Sequence, residues 1–436
     1  MLVCAMALSA VASMTLRSPA IAQNSLSDTE RAISAWIDRH EADAVALLER
    51  AVNINSGTMN LSGVRQVGDV FRAEFDALGF GTEWIDGAAW QRAGHLVARH
   101  PGASPKLLLI GHLDTVFERD SPFQRFERVD EVTARGPGIT DMKGGNVIIV
   151  QALQALRAAG LLDRMNVTVV LTGDEESGGR PLSLARAVLV DEARGAAAAL
   201  GFENGDGNPA HAVVARRGVT SWHLTVQGAT GHSSQVFGAD LGAGAIFELA
   251  RILEGFRTRL AGEPHLTFNP GVVLGGTAVD YRAADSAGAA SGKTNVIAAA
   301  ATASGDLRAL TREQFARAEA AMREIVSASL PRTRATITFD EGYPPLAPSA
   351  GNERLLVLFD RASRDLGLGP VQAVSPDRAG AADVSFIDGR VPMIIDAIGM
   401  KGHSDHSPSE TADLRALSWQ AKRAAVTIAR LAAGGK

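Results

Sequence analysis

Three clusters of histidine and carboxylate residues, each following an apolar run with a strand-like pattern, limit what this chain can become. They are Gly111-His112-Leu113-Asp114-Thr115-Val116, Asp141-Met142-Lys143-Gly144-Gly145 and Gly173-Asp174-Glu175-Glu176-Ser177-Gly178. Imidazole nitrogens and carboxylate oxygens suit zinc, and a bridged metal pair activates water while polarising an amide, so together they read as a two-metal hydrolytic site. Each cluster alone has a plainer meaning. A histidine at a strand end usually satisfies a hydrogen bond, and adjacent acids usually mark a solvated loop. Three such clusters in this order are hard to obtain by accident.

The chain has 436 residues, more than one hydrophobic core normally supports, so two domains are expected. A net charge of -5 provides no basic field for nucleic acid, and no Lys/Arg-rich run addresses an anionic membrane. A small molecule is the expected partner. Residues 1–22 read as a secretory signal, because residues 2–16 are almost wholly apolar or small and Ala20-Ile21-Ala22 before Gln23 fits a small-x-small cleavage site. No Lys or Arg precedes the apolar stretch, which fits a start further upstream. The alternative, an uncleaved anchor, is disfavoured by the shortness of the run and its interruption by Arg17. Cys4, the only cysteine, lies inside this segment, so an exported chain, periplasmic or secreted, would carry neither disulfides nor a cysteine nucleophile.

Ser27-Asp28-Thr29-Glu30 is a capping-box pattern opening an amphipathic helix that runs toward Val52. Val64, Val67, Phe71, Phe75 and Leu78 recur at helical steps, with Gly79 as the C-terminal cap. Apolar runs at 107–110, 167–171, 197–201 and 393–395 alternate with such helices, and 414–431 reads as a covering helix. The expected fold is α/β, a mixed, largely parallel sheet flanked by helices. Between about residues 214 and 339 the rhythm becomes strand 220–226, helix 241–260, strand 266–274, strand 294–303, helix 312–330 and strand 335–339. That β-α-β-β-α-β order predicts a ferredoxin-like domain, 215–338, inserted between two parts of a catalytic zinc-binding domain, 23–214 and 339–436.

In an open α/β sheet, ligands gather outside the carboxyl ends of the strands, and His112, Glu175, Glu176 and Glu203 all closely follow apolar runs. Asp141 follows the turn Gly136-Pro137-Gly138 and precedes Gly144-Gly145, where a helix is expected to begin. Several connections of one sheet thus offer ligands to one place.

These motifs resemble those of the zinc exopeptidases and deacylases, the family that includes glutamate carboxypeptidase, acetylornithine deacetylase, succinyl-diaminopimelate desuccinylase and aminoacylase. The nearest likeness is to the glutamate carboxypeptidase branch. It runs from Val52-Asn53-Ile54-Asn55-Ser56-Gly57 through Gly136-Pro137-Gly138-Ile139-Thr140-Asp141-Met142-Lys143-Gly144-Gly145 to His406-Ser407-Pro408-Ser409-Glu410. The resemblance implies two zinc ions, although the same ligand set would also suit cobalt or manganese. It implies that His112 ligates one zinc with Asp114 hydrogen-bonded behind it, and that Asp141 bridges both metals and is followed by a cis peptide bond to Met142. Glu176 is implied as a ligand of the second metal, Glu203 of the first, and His406 as the last ligand. His403 competes with His406, which is preferred because the family's histidine is followed by Ser or Thr and then Glu, as in His406-Ser407-Pro408-Ser409-Glu410. A glutamate at position 203 is associated by the resemblance with carboxypeptidases and deacylases rather than aminopeptidases and dipeptidases. Glu175 is implied as the general base, taking a proton from the attacking water and passing it to the departing amine.

Within the inserted domain, His232 in Gly228-Ala229-Thr230-Gly231-His232-Ser233 resembles the histidine that reaches the substrate from a partner subunit, its plainer meaning being a turn histidine. Asn295 and Arg308 match residues that hold the substrate's free carboxylate, a task that suits a guanidinium fork. Arg217 is a weaker candidate, its plainer meaning being an exposed strand-end charge. Two features depart from the family. Tyr343 precedes Pro344 where the glutamate-specific enzyme has arginine, and Gly380-Ala381-Ala382-Asp383-Val384 keeps Asp383 but loses a hydroxyl. Side-chain specificity is therefore expected to differ while the metal chemistry stays.

Residues 287–294 approach a phosphate-binding loop, but they follow polar Asp280-Tyr281-Arg282 and lead into β-branched Thr294-Asn295-Val296-Ile297, so a strand is expected rather than a nucleotide site. No Gly-x-Ser-x-Gly nucleophile elbow is present. The combined expectation is an exported dizinc metallo-exopeptidase that cleaves the amide bond to a C-terminal amino acid of a small peptide and dimerises through the inserted domain. An N-acyl-amino-acid deacylase is the alternative on the same site. A non-catalytic metal-binding protein is the alternative of another class, and retention of Glu175 argues against it.

Overall fold

The computed structural model describes residues 26–434, so the expected signal and Cys4 lie outside the described residues. A six-stranded sheet forms the centre, in the order Gly81–Asp86, Gly94–His100, Asn166–Thr172, Lys106–His112, Ala196–Gly201, Ile394–Ile395. The last four run parallel, and the first two join them antiparallel at one edge. Leu107, Leu108, Leu109, Val169 and Val170 are fully buried because helices and loops cover both faces, which is why these strands read as mostly apolar runs without polar alternation. The antiparallel pair at the edge escaped the sequence reading.

One face of the sheet is covered by helices Asp28–Arg39, Glu41–Val52, Leu61–Ala77, Gly144–Ala158 and Arg415–Ala432, whose apolar stripes contribute Ile33, Leu48, Phe71, Phe75, Ile149 and Ile428 to one core. Truncating a buried phenylalanine such as Phe71 to alanine removes roughly 3–5 kcal/mol. The other face packs Val97, Leu108, Ile110 and Val170 against Leu189, Val384, Ile387 and Ile394.

The first helix opens with both halves of the expected capping box, Ser27 and Glu30. It does not run unbroken to Val52. His40 leaves helical geometry at φ -116° and ψ 22°, with its ring stacked on Trp36 and its Nδ1 2.8 Å from the Trp36 carbonyl, and a new helix starts at Glu41. The periodicity survives the break, so the sequence pattern alone did not reveal it.

Residues 218–339 build a second, four-stranded antiparallel sheet in the order Thr267–Gly276, Ala300–Ala309, Gly218–Gly228, Thr333–Phe339, with helices Gly244–Leu260 and Arg312–Ser327 packed on it. Trp222, Leu224, Phe256, Leu307 and Met322 belong to an apolar cluster of its own. The third strand begins at Ala300, later than the β-branched run suggested. Thr294 to Ile297 instead lies along the His232 segment, where Ser233 N–H donates to Asn295 O at 2.9 Å and Ile297 N–H to Gly231 O at 2.9 Å. Ala287–Ser291 is a strand of a hairpin with Ala278–Arg282, and no helix follows it as a phosphate loop would require. No helix among the described residues is long and apolar enough to cross a membrane.

Candidate metal centre

The parallel strands deliver the chemistry at their carboxyl ends. His112 is the last residue of Lys106–His112, Glu175 and Glu176 follow Asn166–Thr172, and Glu203 follows Ala196–Gly201. Asp141 enters from the turn ahead of helix Gly144–Ala158. Gly138 provides the φ of +69° that this turn needs, and Gly145 lets the helix approach closely, since a Cβ there would lie 2.1 Å from the Phe202 carbonyl oxygen. The peptide bond from Asp141 to Met142 is cis, as the resemblance implied. His406 arrives from the C-terminal segment with φ +58°, a left-handed backbone of a kind found at functional sites.

The distances organise these residues into two halves around one carboxylate. Asp141 Oδ1 lies 2.9 Å from His112 Nε2, and Asp141 Oδ2 lies 3.0 Å from His406 Nε2. Glu203 Oε1 is 3.5 Å from His112 Nε2, and Glu176 Oε2 is 3.2 Å from His406 Nε2. His112, Asp141 and Glu203 have ligand atoms close enough to share one ion, as do Asp141, Asp405 and His406. Asp405 was missed by sequence reasoning, and its position next to His406 was the available signal. His403 is not in either group and instead lines a neighbouring cavity with Asp206 and Lys401.

Asp114 stands behind His112, its Oδ1 3.4 Å from the far nitrogen Nδ1, while the Asp114 backbone oxygen is 3.1 Å from the same atom. Its carboxylate also accepts the Thr58 hydroxyl at 2.6 Å and the backbone N–H groups of Glu175 and Glu176 at 3.0 and 3.1 Å. One fully buried carboxylate therefore orients the imidazole and the paired glutamates together.

The electrostatics call for cations. Burial and then the Asp141 charge push Glu203 well above the usual carboxylate range, and the same two causes raise Glu176 to about 7. Burial and then Glu203 raise Glu175. Burial would raise Asp141 too, but hydrogen bonds from His112 and His406 hold it far below its ordinary value. Those bonds, to Asp141 and then Glu176, raise His406 to about 11. Burial would lower His112, yet Glu203, Asp114 and Asp141 together raise it well above its ordinary value. So many acids cannot all ionise side by side unless positive charge joins them, and hard oxygen and imidazole donors fit divalent zinc, cobalt or manganese.

A cavity of about 240 Å³ opens over the cluster, lined among others by Asp141, Glu175, Glu203, Arg216, Arg378 and His406. Arg216 is committed to Asp396 at 2.8 Å and to the Gly380 carbonyl at 2.6 Å, whereas Arg378 lies 3.2 Å from Asp206 and is largely exposed. His232, Asn295 and Arg308 do not line this cavity within the chain. His232 is exposed and turned to the Ser234 hydroxyl at 2.8 Å, beside Asn295, and Arg308 Nε donates to Asp306 at 2.8 Å. Arg217 is not an exposed charge: its side chain is 12% exposed and bonds Thr267 and the Asp377 carbonyl.

Tyr343 does not face the cavity as a specificity residue would. Its hydroxyl accepts from Arg186 Nη2 at 2.6 Å and donates to the Glu175 carbonyl at 2.8 Å. Arg186, unnoticed in the sequence, is buried between Asp174 and Asp383, each at 2.6 Å.

Residues 108–430 match peptidase family M20/M25/M40. The chain is 26% identical to carboxypeptidase G2 of Pseudomonas sp. (strain RS-16) over 402 residues, 89% of each protein. It is 28% identical to succinyl-diaminopimelate desuccinylase of Acidiphilium cryptum (strain JF-5) over 397 residues, 87% of this chain and 96% of that protein. Its fold matches the aminopeptidase PepT of Bacillus cereus with a TM-score of 0.72 at 19% identity, covering 90% of this chain and 99% of the other. With a family match that spans most of its length and a metal-ligating cluster at the strand ends, this chain belongs to peptidase family M20/M25/M40 and is a hydrolase of peptide or acyl-amide bonds.

Proposed function

We propose that this protein is a dinuclear zinc exopeptidase that hydrolyses the amide bond to a C-terminal amino acid. The observation that carries the reading is Asp141, whose two oxygens face two different histidines at 2.9 and 3.0 Å, each histidine accompanied by a further carboxylate. His112, Asp141 and Glu203 would hold one ion, and Asp141, Glu176 and His406 the other. When bound, the pair supplies electrophilic activation of water and of the scissile carbonyl. Glu175 stands beside the ligand Glu176 without joining the His406 cluster, so it accepts the proton of the attacking water and delivers it to the leaving amine. Asp114 keeps His112 in one orientation throughout.

Similarity to carboxypeptidase G2 supports a carboxypeptidase, in which Asn295 and Arg308 hold the free carboxylate and His232 assists from a second copy. The exposure of His232 and its place outside the lining of the single-chain cavity favour that arrangement, with residues 215–338 as an inserted dimerisation domain between the catalytic parts 23–214 and 339–436. We further infer export, on the signal-like pattern of residues 1–22. Similarity to a succinyl-diaminopimelate desuccinylase favours a second reading on the same site, an N-acyl-amino-acid deacylase. Assay of the zinc-loaded protein against N-blocked dipeptides, N-acyl amino acids and their C-terminal amides separates these. Cleavage of the blocked dipeptides that requires their free carboxylate supports the exopeptidase, cleavage of the N-acyl amino acids alone supports the deacylase, and equal cleavage of the amides rejects the exopeptidase.

A further inference from the structure

The segment 340–346 returns the chain from the second sheet to the central one. It is paired with the outgoing connection, since Val219 N–H donates to Tyr343 O at 3.0 Å and Arg216 N–H to Leu346 O at 2.9 Å. Two of its side chains reach the loop that carries Glu175 and the helix Leu182–Ala185 that directly follows it. The Glu341 carboxylate accepts the backbone N–H of Leu182 at 2.7 Å and of Ser183 at 3.3 Å. The Tyr343 hydroxyl donates to the Glu175 carbonyl at 2.8 Å.

That hydroxyl is not free to turn. Arg186 Nη2 donates to it at 2.6 Å, and the guanidinium is itself locked by Asp383 on Nε and Asp174 on Nη1. Asp383 in turn accepts the Thr172 hydroxyl at 2.5 Å, and Asp174 accepts Gly179 N–H at 2.8 Å. The backbone of Glu175 is consequently gripped on both sides, its N–H by Asp114 at 3.0 Å and its C=O by Tyr343. The first grip comes from the metal side and the second from the returning segment. Fixing both flanking peptide units fixes the direction in which the Glu175 side chain leaves the backbone.

We propose that Tyr343 is a positioning residue for Glu175, with Glu341 as a second tether, so that the returning segment sets the placement of the proton-transferring carboxylate. This rests on the reading of Glu175 as the base. A base that drifts by a fraction of an ångström still permits substrate binding but slows proton transfer, and outer partners of this kind are worth about 10–100-fold in activity.

The test uses the zinc-loaded full chain and the best substrate of the panel above. Tyr343→Phe, which deletes one oxygen, should lower kcat about 10-fold or more, with KM and the two-metal content unchanged. Glu341→Ala, at an exposed position, should lower kcat in the same selective way. In a Glu175→Ala background Tyr343→Phe should produce no further loss, because the group it serves is gone. Unchanged kcat in both single variants overturns the proposal, as does an equal loss from Tyr343→Phe with and without Glu175. Full activity of Glu175→Ala overturns the assignment of the base itself, and is seen before any Tyr343 variant is made.

Discussion

The carboxylate of Glu410 holds the turn that presents Asp141: Oε1 accepts the Asp141 N–H at 3.2 Å and the Thr140 N–H and hydroxyl at 2.8 Å each, and Oε2 accepts the Gly138 N–H at 2.9 Å. Glu410 is fully buried and lies four residues beyond His406, so one short segment supplies both a candidate ligand and the clamp for the bridging one. Glu410→Ala leaves several backbone donors unsatisfied and loosens Asp141. Metal affinity should fall about 10–100-fold, measured by chelator competition.

Glu175→Ala removes a carboxylate that, among the described residues, pairs with neither histidine, unlike Glu203 with His112 and Glu176 with His406. Bound metal should stay at the wild-type level while kcat falls about 100-fold or more. Elemental analysis and steady-state kinetics on the same preparation check both halves.

Chelation should abolish hydrolysis and lower the thermal midpoint, because the crowded acids lose the charge that permits them to ionise together. Zinc, cobalt or manganese should restore both. Ligands must shed protons to bind, and Glu176 in the metal-free chain is raised to about 7 by burial and the Asp141 charge. Affinity should therefore rise as pH increases through about 7, followed by metal titration across that range.

Lys401 makes a separate pH prediction. It is 2% exposed, donates to the Asn204 and Ala397 carbonyls at 2.8 and 2.6 Å, and is lowered by burial to about 7. Below that pH both folded and unfolded chains carry the proton, and the cost of burying the charge is present in full. Between about 7 and 10.5 the folded chain has released the proton while the unfolded chain keeps it, so this residue makes stability rise with pH. Lys401→Met removes that slope. Its stability relative to wild type should be greater near the lower end of the window by on the order of a few kcal/mol than at the upper end, read from urea denaturation at both.

Much of this site was legible in the sequence because parallel strands advertise themselves. Residues 107–110 are a continuous apolar run and 167–171 one broken only by Thr168, and the polar residues just after such runs fall at the functional edge of the sheet. Glu203 carried the same mark, just after the run at 197–201, whereas His406 had none and came from resemblance. The buried set of Asp174, Arg186, Tyr343 and Asp383 was invisible as a set, since its members are spread from 174 to 383 and meet only through tertiary packing. Tyr343 illustrates the consequence: as a substitution in a motif it suggested altered specificity, whereas its hydroxyl holds the backbone of Glu175. The break at His40 and the late start at Ala300 were both hidden by a pattern that continues through them. At His40 a local side-chain contact to the Trp36 carbonyl interrupts the helix, whereas the backbone of 295–297 is bonded to the distant segment 231–233 instead of entering the sheet.

Bound metal per chain, measured by elemental analysis on wild type, His112→Ala and His406→Ala, tests the bridged pair most directly. Asp141 faces one histidine with each oxygen, so two equivalents are expected in wild type and about one in each variant. A single equivalent in wild type, or two retained after loss of either histidine, would contradict a dinuclear centre built on Asp141.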